Sequence, residues 1–180
     1  GTIVSEEKYQ VHACEAEHSV PTFSFLFEEK EKPGTFYPEK ANSLGIPKGE
    51  LWHKLQQGEE VVIENKSIKP SEVMGPNVPG KKVGISGDTR PTKKLEEFFK
   101  NCDYLVFDST FSDELKEKAI QTCHSTAKEA ATFAKNANVS NLILTHFSAR
   151  YKDENVLLDE ANAVHNSVIA AKDQLKIDIV

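Results

Sequence analysis

Three apolar runs in this chain end in polar turns able to do chemistry. Val83-Gly84-Ile85-Ser86 leads into Gly87-Asp88-Thr89-Arg90, Leu105-Val106-Phe107 into Asp108-Ser109-Thr110, and Leu142-Ile143-Leu144 into Thr145-His146-Phe147-Ser148. Ligands and reacting groups in open α/β sheets collect beyond the carboxyl ends of strands. Carboxylate and imidazole both suit Zn²⁺, so Asp88 and His146 on neighbouring strand ends would form half of a metal site. Each also has a plainer reading, Asp88 as a turn residue capping the next helix and His146 as a satisfied core histidine. His124 stands before a helix that Ser125 or Thr126 would cap, with Glu129 placed for a capping box. The box explains the hydroxyls but not the histidine, which near a helix start can hold or donate a proton near neutrality. His18, in the turn before Val20-Pro21, reads by itself as a surface histidine, and His12, His53 and His165 read as structural.

Holding those exits side by side requires an α/β scaffold, and from Lys81 onward the chain has that rhythm. Strands are expected at 83–86, 104–108, 141–145 and near 175–179, with helices at 92–101, 112–122, 125–136 and 153–166. Val156, Leu157, Ala161 and Val164 would share one face of the last helix. Upstream, residues 9–15 and 22–28 read as two neighbouring strands. The stretch from about 30 to 58 breaks into short pieces, with a helical turn near 38–44 and a short helix at 50–57. Its scattered apolar residues predict a protruding arm with little core, after which 58–63 resumes strand character. Gly75 to Gly80 is linker-like.

At 180 residues, with 38% hydrophobic and 28% charged residues, the chain is expected to form one compact domain. No apolar run approaches the ~20 residues of a membrane helix. Residues 1–10 have neither a basic start nor an apolar stretch, which points to a cytoplasmic protein. Three cysteines, Cys14, Cys102 and Cys123, form no C-x-x-C pair and read as buried or free thiols. A net charge of −6 does not advertise a nucleic-acid binder, yet residues 30–57 carry five lysines against three glutamates.

Taken together, Ser86-Gly87-Asp88-Thr89-Arg90, His124-Ser125-Thr126 and Leu144-Thr145-His146-Phe147-Ser148-Ala149-Arg150-Tyr151 resemble the ordered carboxy-terminal motifs of tRNase Z, a zinc-dependent tRNA 3′-processing endoribonuclease. His18-Ser19-Val20-Pro21-Thr22-Phe23-Ser24-Phe25 is similar to that family's segment bearing a metal-binding histidine. Pro33-Gly34 with Gly45-Ile46-Pro47-Lys48-Gly49-Glu50-Leu51-Trp52 resembles its tRNA-clamping arm. The resemblance implies the metallo-β-lactamase fold, an αββα sandwich with two zinc ions at one sheet edge. It implies that His18 completes one zinc, Asp88 bridges both and His146 binds the other, with His124 protonating the leaving oxygen. Relatives orient that histidine with the acid of a His-Glu-Ala-Thr motif. Phe107-Asp108-Ser109-Thr110 stands here instead, which puts Asp108 in that role by position and charge.

The family's first signature, H-x-H-x-D-H, which supplies most of the metal ligands and the water-activating carboxylate, is absent from the sequence. The expectation is therefore a carboxy-terminal half, inactive by itself, whose partners are the missing amino-terminal half, precursor tRNA and, as in the family, a second copy in a homodimer. Lys48 and Gly49 would grip RNA from the arm, with Ser148 and Arg150 beside the metal. Arg90 would contact the scissile phosphate or pair with a neighbouring carboxylate. Two rivals remain open: a phosphodiesterase of the same superfamily acting on small esters, and a non-catalytic RNA-binding half.

Overall fold

The protein is described by a computed structural model covering residues 1–179. In chain order its elements are β1 (Thr2–Ser5), β2 (Tyr9–Glu15), β3 (Phe23–Glu29), α1 (Pro38–Ser43), α2 (Glu50–Gln56), β4 (Val61–Ile63), β5 (Lys66–Ile68) and α3 (Pro70–Val73). There follow β6 (Lys82–Ile85), α4 (Lys93–Phe98), β7 (Tyr104–Asp108), a 3-10 turn at Asp113–Leu115, α5 (Lys116–Gln121), α6 (Ala127–Asn136), β8 (Asn141–Thr145), α7 (Asn155–Asn162) and β9 (Val168–Ala170). They fall into two compact units, residues 1–29 with 81 onward, and residues 30–80.

The larger unit is one seven-stranded sheet in the order β1-β2-β3-β6-β7-β8-β9. Pairing is antiparallel from β1 to β6 and parallel from β6 to β9. Parallel pairing demands helical crossovers, and they pack on one face. Leu26, Leu105, Phe107, Leu142 and Leu144 of the sheet meet Leu95 and Phe99 after α4, the alanines and Phe133 of α6, and Leu157 and Ala161 of α7. Phe133 lies on Phe107 with ring centroids 4.5 Å apart and meets Phe99 at 6.3 Å. Gly84 makes this layer possible, since a Cβ there would lie 2.5 Å from the Phe99 ring.

Period-2 alternation leaves the other face apolar as well. Phe23, Phe25 and Phe27 of β3 and Ile85 of β6 are between 36% and 53% exposed. Register places Phe25 beside Ile85 and Ala13, and Phe27 beside Val83 and Val11. An exposed apolar sheet face of this kind marks an interaction surface.

Residues 30–80 fold around their own core of Ala41, Ile46, Leu55, Val61, Ile68 and Val73. Trp52 stacks on Phe36 with centroids 5.0 Å apart and donates its indole N–H to the Ile46 carbonyl at 3.0 Å. β4 and β5 form a separate two-stranded sheet closed by Glu64 and Asn65, both at positive φ, the backbone of a tight hairpin turn. The expectation of a nearly coreless arm ending near 58 is thus corrected. Its apolar residues are spaced singly along short elements, so they converge only through tertiary contact.

Two further expectations change. The last strand is β9 at Val168–Ala170, pairing with β8, whereas Leu175–Ile179 has no regular structure. Val156 is 55% exposed and does not join Leu157 and Ala161, because one residue along α7 turns its side chain about 100° from that of Leu157. The structural reading of the other histidines holds. His165 is buried and donates Nε2–H to the Val139 carbonyl, His12 pairs with Glu28 and Thr2, and His53 contacts Gln57. All three cysteines are free, and burial pushes the Cys102 thiol up to about 12. Among the described residues, no helix is long and apolar enough to cross a membrane.

Candidate metal and acid-base site

The exits of β6, β7 and β8 converge, as parallel neighbours must. After β6 the chain turns at Gly87, whose φ of 64° suits glycine and where a Cβ would lie 3.2 Å from the Phe23 carbonyl. Asp88 follows. After β8, His146 itself adopts φ 63°, which sends the backbone out of the sheet at the ring. Its Nε2 lies 3.4 Å from Asp88 Oδ2, with both side chains partly exposed. His18 is pinned to the same corner because Glu17 bridges Arg90 and donates its N–H to the Thr89 hydroxyl at 3.1 Å.

At the β7 exit Asp108 is fully buried. A buried carboxylate is tolerable only when its lone pairs are filled, and here four donors fill them. Thr89 N–H (3.0 Å) and His124 Nδ1–H (2.7 Å) reach Oδ2, while the Thr110 N–H (3.1 Å) and hydroxyl (2.7 Å) reach Oδ1. His124 lies between the other two histidine rings, stacked on His146 at 4.9 Å and tilted to His18 at 4.9 Å. The capping box anticipated at α6 forms with Thr126 as the cap and Glu129 as its partner. Ser125 instead donates to the Thr89 carbonyl at 2.6 Å and ties the His124 loop to the Asp88 loop.

Hydrogen-bond chemistry fixes which histidine nitrogens face the centre. A carbonyl and a carboxylate can only accept. His18 therefore donates Nδ1–H to the Cys123 carbonyl at 3.0 Å and His124 donates Nδ1–H to Asp108, so in the neutral rings Nε2 is the nitrogen left bare. The donor atoms of His18, Asp88 and His124 lie within 4.8 Å of one another, as do those of Asp108, His124 and His146. Tautomer-locked imidazoles around a carboxylate fit a divalent metal. Either set could hold it, and of the expected ligands His18 and Asp88 share the first while His146, in the second, comes within 3.4 Å of Asp88.

Arg90 takes the carboxylate partner rather than a free position. Its guanidinium grips Glu129 through two parallel bonds (2.7 and 2.5 Å) and also donates to the His124 carbonyl. Burial raises the Glu129 carboxyl, but the Arg90 fork and the Thr126 N–H outweigh it and hold the group below its ordinary value. Glu129 was legible only as a capping residue, because its second partner is 39 positions away. With both side chains only 13–14% exposed, Arg90→Leu is expected to cost ~3–5 kcal/mol by stranding a buried charge, read as a lower urea midpoint. The contribution of a carboxyl with depressed pKa is complete above its ordinary 4.5 and fades as pH falls through the folded value. The gap between Arg90→Leu and the native chain should therefore narrow in acid titrations.

Ser148 and Arg150 stand just past His146. Ser148 donates its N–H to the Thr110 carbonyl, and Arg150 donates Nε–H to the Ser148 hydroxyl while lying 5.1 Å over the Phe111 ring. Lys48 and Gly49 belong to the inserted unit, exposed at the start of α2. Thr110 drew no role from sequence, since one of its side-chain partners, His146, sits on another strand exit.

The mixed α/β sheet agrees with what similarity shows. The chain belongs to the beta-lactamase superfamily domain family, whose model matches residues 49–147. Among curated relatives, ribonuclease Z of Nitrosopumilus maritimus is 63% identical over 177 residues, covering 98% of this chain and 59% of that protein. Ribonuclease Z of Archaeoglobus fulgidus is 43% identical over 181 residues, 99% of this chain and 59% of that protein. The chain thus spans 59% of the length of these relatives. In solved structures the fold matches human tRNase Z, short form, at TM-score 0.61 and 23% identity over 99% of this chain and 46% of that one. It also matches the metallo-beta-lactamase fold protein YhfI of Bacillus subtilis at TM-score 0.60 and 14% identity, over 94% of this chain and 48% of that one.

Proposed function

We propose that this chain supplies the acid-base dyad and part of the metal site of a zinc-dependent endoribonuclease that removes the 3′ trailer from tRNA precursors. The observation that carries the proposal is the His124–Asp108 pair at 2.7 Å, set between two further histidines and beside Asp88. The ribonuclease Z name of relatives up to 63% identical supports the substrate. Two zinc ions, when bound, would supply Lewis-acid polarisation of the phosphoryl group and a lowered pKa for the attacking water.

The chain's own residues account for the other end of the reaction. Asp108 holds Nδ1–H, so protonated His124 carries its transferable proton on Nε2, facing the centre, and would hand it to the leaving oxygen. Asp108 stabilises the imidazolium before the transfer. Arg90 keeps the His124 backbone in place through its carbonyl. Arg150 and Ser148 would meet RNA phosphates beside the centre, and Lys48 with Gly49 would do so from the inserted unit.

A remaining segment bearing H-x-H-x-D-H would complete the ligand set. The exposed Phe23, Phe25, Phe27 and Ile85 face supports that reading, because a second sheet of an αββα sandwich would cover it. The complete enzyme is read as a cytoplasmic homodimer. The test adds such a segment to the chain and measures zinc content and precursor-tRNA cleavage. Both are expected to rise from near zero together. Failure of both to rise would favour a non-catalytic RNA-binding half.

A further inference from the structure

We propose that Thr110 is a positioning residue that sets the tautomer of His146 and ties it to the His124–Asp108 dyad. Its hydroxyl lies 2.7 Å from Asp108 Oδ1 and 2.8 Å from His146 Nδ1. A hydroxyl has one proton and two lone pairs. Asp108 Oδ1 can only accept, so the Thr110 proton points there, and the two oxygens could not sit 2.7 Å apart without it. The hydroxyl then presents a lone pair to His146, and Nδ1 must be the donor. His146 consequently carries its proton on Nδ1 and keeps Nε2 bare on the side of Asp88, 3.4 Å away.

Thr110 is held for this task from both ends. Only 6% exposed, it donates its own N–H to Asp108 Oδ1 at 3.1 Å and accepts the Ser148 N–H on its carbonyl at 3.1 Å. The hydroxyl is therefore a rigid post between the β7 and β8 exits. A single carboxylate, Asp108, orients His124 directly through Oδ2 and His146 indirectly through Oδ1 and Thr110. With the Nδ1–H of His18 on the Cys123 carbonyl, all three rings of the site, when neutral, have their outward nitrogen protonated and their inward nitrogen bare.

The functional meaning rests on His146 as a metal ligand, but the tautomer is measured without metal or RNA. Failure of this proposal is thus distinguishable from failure of the nuclease reading. The experiment records two-bond proton–nitrogen correlations of the ¹⁵N-histidine-labelled chain at about pH 8.5, where ordinary histidines are neutral. His146→Gln identifies the His146 signals. The native chain and Thr110→Ser should both show His146 with Nδ1 protonated and Nε2 bare, while Thr110→Val, isosteric but unable to accept, should lose that pattern. His165, which donates through Nε2 to Val139 and accepts the Ser167 N–H on Nδ1 at 3.2 Å, provides the opposite tautomer as an internal reference and a reporter of folding. A His146 protonated at Nε2 in the native chain overturns the proposal, and that result needs no variant to fold. Retention of the Nδ1–H pattern in a folded Thr110→Val chain overturns it equally.

Discussion

In the enzyme reconstituted with its H-x-H-x-D-H segment, His124→Ala is expected to lower precursor-tRNA cleavage by about 10²–10⁴-fold, the range general acid catalysis supplies. Zinc content should be nearly unchanged. The separation follows from geometry: His124 is tied through Nδ1 to a buried carboxylate and faces the centre only through Nε2, as a proton carrier would. Asp108→Asn should lose activity to a similar degree for a different reason. An amide in place of Asp108 would lack one acceptor oxygen, so two of the four donors would face an NH₂ group or go unmet. His124 would then lose its fixed tautomer and the partner for its charge. Single-turnover rates at saturating RNA, with metal analysis of the same samples, check both variants. A His124→Ala enzyme retaining cleavage within about threefold would remove His124 from the chemistry, far inside the general-acid range.

The parts of this site that could be read from sequence are those fixed by local chain physics. Apolar runs followed by Asp or His marked the three strand exits, and Thr126 with Glu129 marked the start of α6 because a capping box spans three residues. Asp108 was placed by position and charge, and the structure supplies its His124 bond. What could not be read is carried by long-range pairing. Arg90 meets Glu129 across 39 positions and Thr110 meets His146 across 36, so neither pairing has a sequence signature. The same physics hid the core of residues 30–80, where Ile46, Leu55, Val61, Ile68 and Val73 come from elements too short to show a period. β9 was missed because a strand of three residues, Val168–Ala170, gains its stability from pairing with β8 rather than from its own pattern.

Removal of residues 30–80 should separate substrate recognition from chemistry. The cut is physically reasonable from both sides. The inserted unit has a core of its own, made of residues distinct from those of the larger unit's core. Within the larger unit Glu29 N–H donates to the Lys81 carbonyl at 2.9 Å, and β3 pairs antiparallel with β6, so a short Asn-Gly turn would join the ends as an ordinary hairpin. The sheet register that sets Gly87 and Asp88 would be preserved. In the reconstituted enzyme, cleavage of precursor tRNA should fall by about 100-fold or more, the scale on which lost positioning acts, while hydrolysis of a small phosphodiester stays within about twofold. On the proposed function Lys48 and its neighbours would hold a long substrate by backbone charge, whereas a small ester would need only the centre itself. Equal loss of both activities would mean that the inserted unit shapes the active centre. Retention of both would assign RNA recognition to residues beside the metal, with Arg150 the first to test.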